Sequence, residues 1–334
     1  MKPWLVLPAQ IAHDLSPIGL KLYSLLNEIP TPAWKSFVWE SIVFKNRLGI
    51  AGGVDKNGEL LDVWNSIGCG FAEIGTVTPE PQEPNPGKIL DRSLKDFALW
   101  NQMGFPSAGA DDVFFNIRNF KMTSSLPVFV NIGKNRQTSN ENAHQDYTRL
   151  LQRFYSVADA FVVNISSPNT KGLRELAQAK NLEAFLNPLQ IAQRNLYEQH
   201  GFKKPVVLKL SPDLESDDFK NIIDTSLKNK IDGFVLTNTT LSRTTEKSFP
   251  PTGGVSGKPL QDLSKKALQI VCSHLGSEKH KKLIISVGGV MTAEDVFERI
   301  DLGADLVEVY TTLIFQGPGF FKGVAQKIHG KNGK

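Results

Sequence analysis

Eight short apolar runs rich in β-branched residues recur along the chain, and longer segments of helical periodicity separate them. The runs cover residues 48–52, 71–75, 127–132, 160–165, 205–210, 232–237, 283–288 and 305–310. This alternation is typical of a parallel sheet with crossover helices. Eight units in one chain fit a closed barrel, and the G-x-G-x-x-G sequence of an open dinucleotide-binding sheet is absent. The sequence therefore predicts an α/β fold, a (β/α)8 TIM barrel with a short helical extension at its N-terminus.

The composition excludes several other classes of protein. A chain of 334 residues with 40% hydrophobic and 22% charged residues is ordinary for a globular protein. The two cysteines, Cys69 and Cys272, have no Cys or His nearby at metal-ligand spacing, so we predict no metal site and no disulfide framework. The net charge of +4 includes several lysines in residues 322–334, which favours a solvated terminus over a nucleic-acid surface. No apolar run approaches the roughly 20 residues that span a bilayer.

Glycine and polar residues follow most of the apolar runs. They are residues 52–56, Gly75-Thr76, Asn131, Asn164, Lys209, Thr237-Asn238-Thr239, Gly288-Gly289 and Tyr310-Thr311-Thr312. Each group taken alone is also what a helix cap or a tight turn requires. In a barrel of this kind, however, the carboxyl ends of the strands carry the active site. Their joint placement after successive strands favours one shared site at the barrel mouth.

Residues 1–46 do not follow the alternation. An apolar stripe of helical spacing runs through them, formed by Ile11, Leu15, Ile18, Leu22 and Leu25. Pro8 and Ser16-Pro17 stand at positions where helices start, which predicts two short helices or one kinked helix. Two interpretations of the stripe stay open, because it either packs on the barrel or forms a surface for a membrane or a partner. Packing on the barrel is the more common case for such a stripe, and the apolar residues 4–7 ahead of it add some weight to the second interpretation.

The most informative stretch is N-I-S-S-P-N-T at residues 164–170, directly after the fourth run. Further blocks follow one order along the chain: A-G-G-V-D-K at 51–56, E-I-G-T-V-T-P at 73–79, N-Q-M-G-F at 101–105, N-I-G-K-N at 131–135, L-K-L-S-P-D at 208–213, T-N-T-T at 237–240, T-G-G-V-S-G-K-P-L at 252–260 and V-G-G-V at 287–290. With these blocks, residues 48 to 326 resemble the dihydroorotate dehydrogenases, and specifically their quinone-linked, serine-type class.

The resemblance implies an enzyme of pyrimidine biosynthesis that oxidises dihydroorotate to orotate, with FMN as hydride acceptor and a quinone as final acceptor. It implies that Ser167 is the catalytic base, whereas the class that uses fumarate or NAD has cysteine there. The reaction removes a proton from C5 and a hydride from C6, so a base must face one side of the ring and the flavin N5 the other. A serine hydroxyl is a weak base at neutral pH, and Thr170 and Phe105 would form its relay and dry wall.

The resemblance also implies which residues bind each ligand. The substrate residues would be Lys56, Asn101, Gly104, Phe105, Asn164, Asn169, Asn238 and Thr239. Asparagine amides suit this role because they offer a donor and an acceptor to the imide edge of orotate. The FMN residues would be Ala51, Gly52, Gly53, Lys56, Thr76, Asn131, Asn164, Lys209, Thr237, Gly257, Gly288, Gly289, Tyr310 and Thr311.

Lys209 stands in an apolar strand, where an uncompensated ammonium is costly, so we predict an anionic neighbour for it. By resemblance it would face the N1/C2-carbonyl end of the flavin ring. The alternative is a lysine that extends out of the strand end into solvent.

Several positions depart from the family pattern, namely Arg47, Gly52, Gln102, Pro106-Ser107 and Thr312. The resemblance implies that residues 1–46 form an amphipathic helical segment facing the membrane and its quinone, with Arg92 lining the path. Residues 47–334 would form the FMN-binding barrel, peripheral to the cytoplasmic side of the membrane. Two other readings remain: a flavin barrel acting on RNA, such as a dihydrouridine synthase, and a repurposed paralogue that keeps the barrel without the reaction.

Overall fold

The computed structural model describes residues 2–27, 32–170 and 172–331. A 3-10 turn at Pro3–Leu5 precedes helix α1 (Ala9–Leu26), and a hairpin of β1 (Phe37–Trp39) and β2 (Ile42–Phe44) follows. The N-terminal segment thus holds one long helix and a hairpin in front of the barrel.

Eight parallel strands close into a barrel, as the eight runs predicted. They are β3 (Leu48–Asp55), β4 (Phe71–Val77), β7 (Val128–Ile132), β8 (Ala160–Asn164), β9 (Val206–Leu210), β10 (Gly233–Leu236), β12 (Leu283–Val287) and β13 (Leu306–Val309). Sequential strands are neighbours throughout, and β13 pairs with β3 to complete the ring. The predicted (β/α)8 fold is confirmed.

Helices cover the outside of the barrel. They are α2 (Leu61–Ser66), α3 (Ala110–Lys121), α4 (Ala143–Phe154), α5 (Ala179–His200), α6 (Ser216–Lys228), α7 (Gln261–Leu275), α8 (Ala293–Asp301), α9 (Thr311–Gln316) and α10 (Phe320–Lys331). The strands are buried on both faces, which explains why they are continuously apolar. A smaller antiparallel sheet of β5 (Leu90–Ser93), β6 (Ala98–Asn101) and β11 (Gly254–Gly257) lies outside the barrel ring.

The barrel interior is layered because side chains alternate between its two faces. Phe71 and Phe129 fill the amino-terminal end and pack edge-on against Phe44 of the hairpin, with ring centroids 5.9 and 6.0 Å from that of Phe44. The hairpin therefore closes this end. Two residues further along their strands, the same interior face carries Glu73 and Asn131, so the next layer is polar.

Helix α1 is continuous through Pro17, so Ser16-Pro17 does not start a second helix as the sequence suggested. Proline removes one backbone donor from the helix. The Ser16 hydroxyl donates instead to the carbonyl of His13, over 2.7 Å, which gives that acceptor a partner. In the described part of the chain, no helix is both long and apolar enough to cross a membrane.

The apolar stripe of α1 faces away from the barrel. All five of its side chains are at least 48% exposed, and Leu25 reaches 80%. The opposite side contributes Leu20 and Tyr23, which pack against the main core. The interpretation that the stripe packs on the barrel is therefore wrong.

Candidate active site

A cavity opens at the carboxyl ends of the barrel strands, and together with the solvent at its entrance it holds about 990 Å³ of empty space. Every residue predicted to act on substrate or to bind flavin lines it: Ala51, Gly52, Gly53, Lys56, Thr76, Asn101, Gly104, Phe105, Asn131, Asn164, Ser167, Asn169, Lys209, Thr237, Asn238, Thr239, Gly257, Gly288, Gly289, Tyr310 and Thr311. Residues spread over most of the chain thus meet in one place. Their individual roles stay predictions.

Ser167 lies in the loop after β8, and its side chain is almost fully buried. Its hydroxyl oxygen accepts a hydrogen bond from the backbone N–H of Asn169, over 3.2 Å. A donor to this oxygen favours its deprotonated form. Thr170 follows in the same loop but is absent from the cavity lining, and Lys171 lies outside the described residues.

The asparagines at the mouth are hydrogen-bonded in two groups, which are together called the asparagine network. The Asn164 amide donates to the hydroxyl of Thr76, over 2.9 Å, while its oxygen accepts from the Asn238 amide, over 3.3 Å. Asn169 donates in turn to the side-chain oxygen of Asn101, over 2.9 Å. The side-chain oxygen of Asn169 is buried and has no partner among the described residues. The residue itself lines the cavity.

Arg174 holds the Ser167 loop against the next strand ends, a role that the sequence did not suggest. Its guanidinium donates to the carbonyl oxygens of Ser166 and Thr239, over 3.0 and 3.2 Å, and pairs with Asp213 at 2.9 Å. An arginine fork that bonds three points at once fixes their relative positions. The loop is therefore braced from outside the cavity.

Lys209 has the anionic neighbour that the sequence predicts, and it does not extend into solvent. Its ammonium donates to Glu73 Oε1 over 2.7 Å, and the same oxygen accepts from the Asn131 amide over 2.6 Å. Burial lowers the pKa of Lys209, but the charges of Glu73 and Glu308 outweigh it, so the net shift raises the pKa. Lys209 remains protonated.

A second carboxyl, Glu308, lies in the same buried layer and lines the cavity. Burial and the adjacent Glu73 carboxylate raise the pKa of Glu308 well above its ordinary value. Neither Glu308 oxygen, nor Oε2 of Glu73, finds a donor among the described residues. A proton on Glu308 gives this carboxyl a hydrogen atom to donate towards the adjacent Glu73. Both glutamates are charged residues within apolar strands. The same feature singled out Lys209 in the sequence.

Lys56 meets the N-terminal helix at the edge of the cavity. Its ammonium lies 3.1 Å from Nε2 of His13 on α1. Burial is the main cause that lowers the pKa of both groups, and the charge of Lys56 lowers the pKa of His13 further. A neutral imidazole in this position can accept a hydrogen bond from the ammonium.

Three glycines shape one side of the cavity with backbone alone. Gly257, Gly288 and Gly289 have φ angles of +90°, +106° and +68°, in the region that favours glycine. A Cβ at Gly257 would lie 2.1 Å from the Phe97 carbonyl oxygen, and one at Gly289 would lie 2.3 Å from Gln261 Cα. Side chains are therefore excluded, and backbone N–H groups come close to whatever the cavity binds.

Four of the positions that depart from the family pattern, Gly52, Gln102, Ser107 and Thr312, have local contacts of their own here. A Cβ at residue 52 would lie 2.1 Å from Glu73 Oε1, so Gly52 leaves room for this carboxylate. The Thr312 hydroxyl donates to the Val290 carbonyl, and Gln102 accepts from the Thr252 hydroxyl over 2.6 Å. Ser107 caps the turn that follows, accepting from the Gly109 N–H over 3.1 Å. None of these contacts obstructs the cavity.

Both cysteines lie outside the cavity lining. Burial raises the pKa of Cys69 to about 12 and that of Cys272 to about 11. Since the thiolate is the reactive form, neither is an activated nucleophile or base. That Ser167 acts as the base stays a prediction.

Comparison with known proteins agrees with this geometry. The family model described as dihydroorotate dehydrogenase matches residues 37–331. A protein of Ralstonia nicotianae named dihydroorotate dehydrogenase (quinone) is 41% identical over 291 residues, covering 86% of this chain and 84% of that protein. One of the same name from Vibrio parahaemolyticus is 37% identical over 332 residues, covering 96% of each.

Solved structures give the same result. The crystal structure of the Eimeria tenella DHODH in complex with ferulenol superimposes with a TM-score of 0.86 at 32% sequence identity, covering 97% of this chain and 92% of that one. The ligand-free Eimeria tenella structure gives a TM-score of 0.83 at 34% identity. Fold, cavity and sequence relatives agree, and the chain belongs to the dihydroorotate dehydrogenase family.

Proposed function

We propose that this chain oxidises dihydroorotate to orotate with FMN as hydride acceptor and a quinone as final electron acceptor, as a step of pyrimidine biosynthesis. The observation that carries the proposal is the meeting of Ser167, the asparagine network and the Lys209–Glu73 pair in one cavity. The relatives named dihydroorotate dehydrogenase (quinone) support the quinone as acceptor.

The residues present fit FMN. The glycine-lined side offers backbone N–H groups to a phosphate, and the cavity has room for a ring system beside Lys209. When bound, FMN supplies a two-electron acceptor that takes up the hydride from the substrate. Lys209 would hold the pyrimidine end of the flavin ring with a positive charge that Glu73 keeps in place. Ala51, Thr76 and Asn131 would line the ring, and Thr237 would contact its edge.

The asparagines would form hydrogen bonds with the imide edge of the substrate ring. The unpartnered side-chain oxygen of Asn169 suits an imide N–H, and the amides of Asn101, Asn164 and Asn238 complete a polar rim. Lys56 would pair with the substrate carboxylate. A substrate without these groups would leave buried amides unpaired, at a cost of roughly 1 to 3 kcal/mol each.

Ser167 would take the C5 proton. The Asn169 N–H stabilises the negative charge that develops on its oxygen, and the buried Phe105 excludes water from that side of the cavity. The proton would leave through Thr170, which follows in the same loop. Gly104 would let the chain approach the substrate closely, with its φ of +74°.

Quinone would enter between α1 and the barrel. Arg92 on β5 donates to the carbonyl oxygens of Trp4 and Leu5, over 3.3 and 2.9 Å, and so anchors the segment that precedes α1. The exposed stripe of α1 would rest on the membrane surface, with residues 1–46 as the membrane-facing segment and residues 47–334 as the catalytic barrel. This would place the protein on the cytoplasmic side of the membrane.

An anaerobic absorbance titration of the purified protein tests the proposal. We expect dihydroorotate to bleach the flavin band near 450 nm and a short-chain quinone, but not fumarate, to restore it. A flavin band that does not respond to dihydroorotate contradicts the substrate, and restoration by fumarate contradicts the acceptor. Protein that binds no FMN contradicts the cofactor and favours the repurposed paralogue.

A further inference from the structure

One fully buried arginine lies directly behind the glycine pair of the cavity. Arg299 on α8 is 0% exposed, although arginine is among the residues that are rarely buried unless paired. Its Nη2 donates to the Gly288 carbonyl and to the Ser264 hydroxyl, each over 2.8 Å, and its Nη1 donates to the Ser286 hydroxyl over 3.0 Å. The side chain thus joins α8 to α7, β12 and the glycine turn.

Within the described residues, no carboxylate forms an ion pair with Arg299, and its Nε has no hydrogen-bond partner. The acidic residues whose charge reaches it, Glu298, Asp295 and Asp262, are engaged elsewhere or open to solvent. Burial lowers the pKa of Arg299 to about 10, which still leaves it charged at neutral pH. A buried charge without a counter-ion is costly even when it is hydrogen-bonded, and an anion nearby would reduce that cost.

The glycine turn stands between this charge and the cavity. In a trans peptide the carbonyl of Gly288 and the N–H of Gly289 point in opposite directions. Arg299 holds that carbonyl from behind, which directs the Gly289 N–H away from the arginine. Among the described residues this N–H donates to no acceptor, and both glycines line the cavity. A negatively charged group on the cavity side of the turn would accept a hydrogen bond from the Gly289 N–H. The positive charge of Arg299, on the other side of the turn, would also attract it.

We infer that Arg299 is a positioning residue that makes the site select a phosphorylated flavin over the same ring system without a phosphate. It fixes the turn whose N–H meets the phosphate, and its charge balances that of the phosphate through the loop. The inference rests on the proposed function, because it takes the cavity to be the flavin site.

The test compares FMN with riboflavin, which lacks the phosphate, as ligands of the full-length protein in equilibrium dialysis. We expect Arg299→Met to weaken FMN binding roughly tenfold to a hundredfold, the range for hydrogen bonds to charged groups. Riboflavin binding should change by less than about threefold on the same principle, since it offers no charge to the turn. Arg299→Lys keeps the charge without the fork and should retain part of the preference.

The matched control is Lys265→Met on α7, which removes a charge near Glu298 but does not touch the glycine turn. It should leave the ratio of the FMN and riboflavin affinities unchanged. If the Arg299 variants weaken FMN and riboflavin binding equally, Arg299 only supports the fold. If they change neither affinity, Arg299 has no role in flavin binding. Either result leaves the ratio of the two affinities unchanged and overturns the inference. If Arg299→Met does not fold, the ratio in Arg299→Lys decides. Wild-type protein that binds neither flavin would instead refute the proposed function.

Discussion

The barrel mouth and helix α1 are incomplete in opposite ways. At the mouth, polar side chains are held by hydrogen bonds to one another, and some buried polar atoms, such as the Asn169 oxygen, have no partner among the described residues. On α1, the apolar stripe lies open to solvent, and the helix is joined to the barrel by few side chains. The barrel mouth is thus preorganised for a specific polar molecule, whereas helix α1 presents an apolar surface that has no such specificity.

The largest effect that distinguishes the barrel mouth from helix α1 is expected on the rate of flavin reduction, in the loop that holds Ser167. Ser167→Ala should slow flavin reduction by dihydroorotate roughly 100- to 10,000-fold, because the proton at C5 loses its acceptor. FMN should stay bound, since the one hydrogen bond of this hydroxyl among the described residues is with the Asn169 N–H. Stopped-flow absorbance at the flavin band measures the rate. Reduction at the wild-type rate would assign the base to another group.

The next largest effect is expected in the buried charge layer. Lys209→Met leaves Glu73 as an unpaired buried carboxylate, which should lower the free energy of unfolding by about 3 to 5 kcal/mol and weaken FMN binding. Urea unfolding followed by circular dichroism measures it. Lys220→Met, which breaks an exposed pair with Asp217, is the control and should cost less than about 1 kcal/mol. Similar losses in both variants would contradict a special role for the layer.

For α1 the comparison predicts a change in surface binding without a change in chemistry. Replacing Leu15 and Leu22 with serine should weaken sedimentation with phosphatidylcholine vesicles at least about tenfold, because each apolar side chain contributes roughly 1.5 to 3 kcal/mol when fully buried. Turnover with a soluble short-chain quinone should stay near the wild-type value. Met122→Ser, an exposed apolar residue just after α3, serves as control. Unchanged vesicle binding of the double variant would remove α1 as the membrane contact.

The smallest effect is expected at Glu308 and depends on pH. Its raised pKa means that folding takes up a proton, so wild-type stability should fall as pH rises above the ordinary value of a glutamic acid, about 4.3, towards the raised one. Glu308→Gln removes this dependence and keeps a donor for Glu73. The melting temperature of the variant, relative to wild type, should therefore increase from pH 5 to pH 9. A constant difference would show that Glu308 is ionised in the folded protein.

Much of the fold could be predicted because the barrel strands are buried on both faces and read as uninterrupted apolar runs. The hairpin β1–β2 was not predicted, since its strands have three residues each and only alternate residues are buried. The outer sheet was also missed, because L-D-R-S and G-V-S-G carry no apolar pattern. Local patterns thus reveal elements that bury whole runs of residues, and they miss elements that tertiary contacts hold in place.

The site divides in the same way. The residues that line the cavity could be predicted because polar groups after barrel strands must converge at the mouth. Residues that hold the cavity lining in place from outside the cavity could not be predicted. Arg174 and Arg299 read as ordinary surface arginines, and only the folded chain shows that one braces the Ser167 loop and the other is buried behind the glycine turn.

The anchoring of the N-terminal segment has an evolutionary consequence. Arg92 donates to the backbone carbonyls of Trp4, Leu5 and Leu7, and the Trp4 indole donates to the carbonyl of Ile314. Most of these bonds recognise main-chain atoms, which every amino acid supplies. The side chains of this segment can therefore change over evolution while most of its attachment to the barrel is kept.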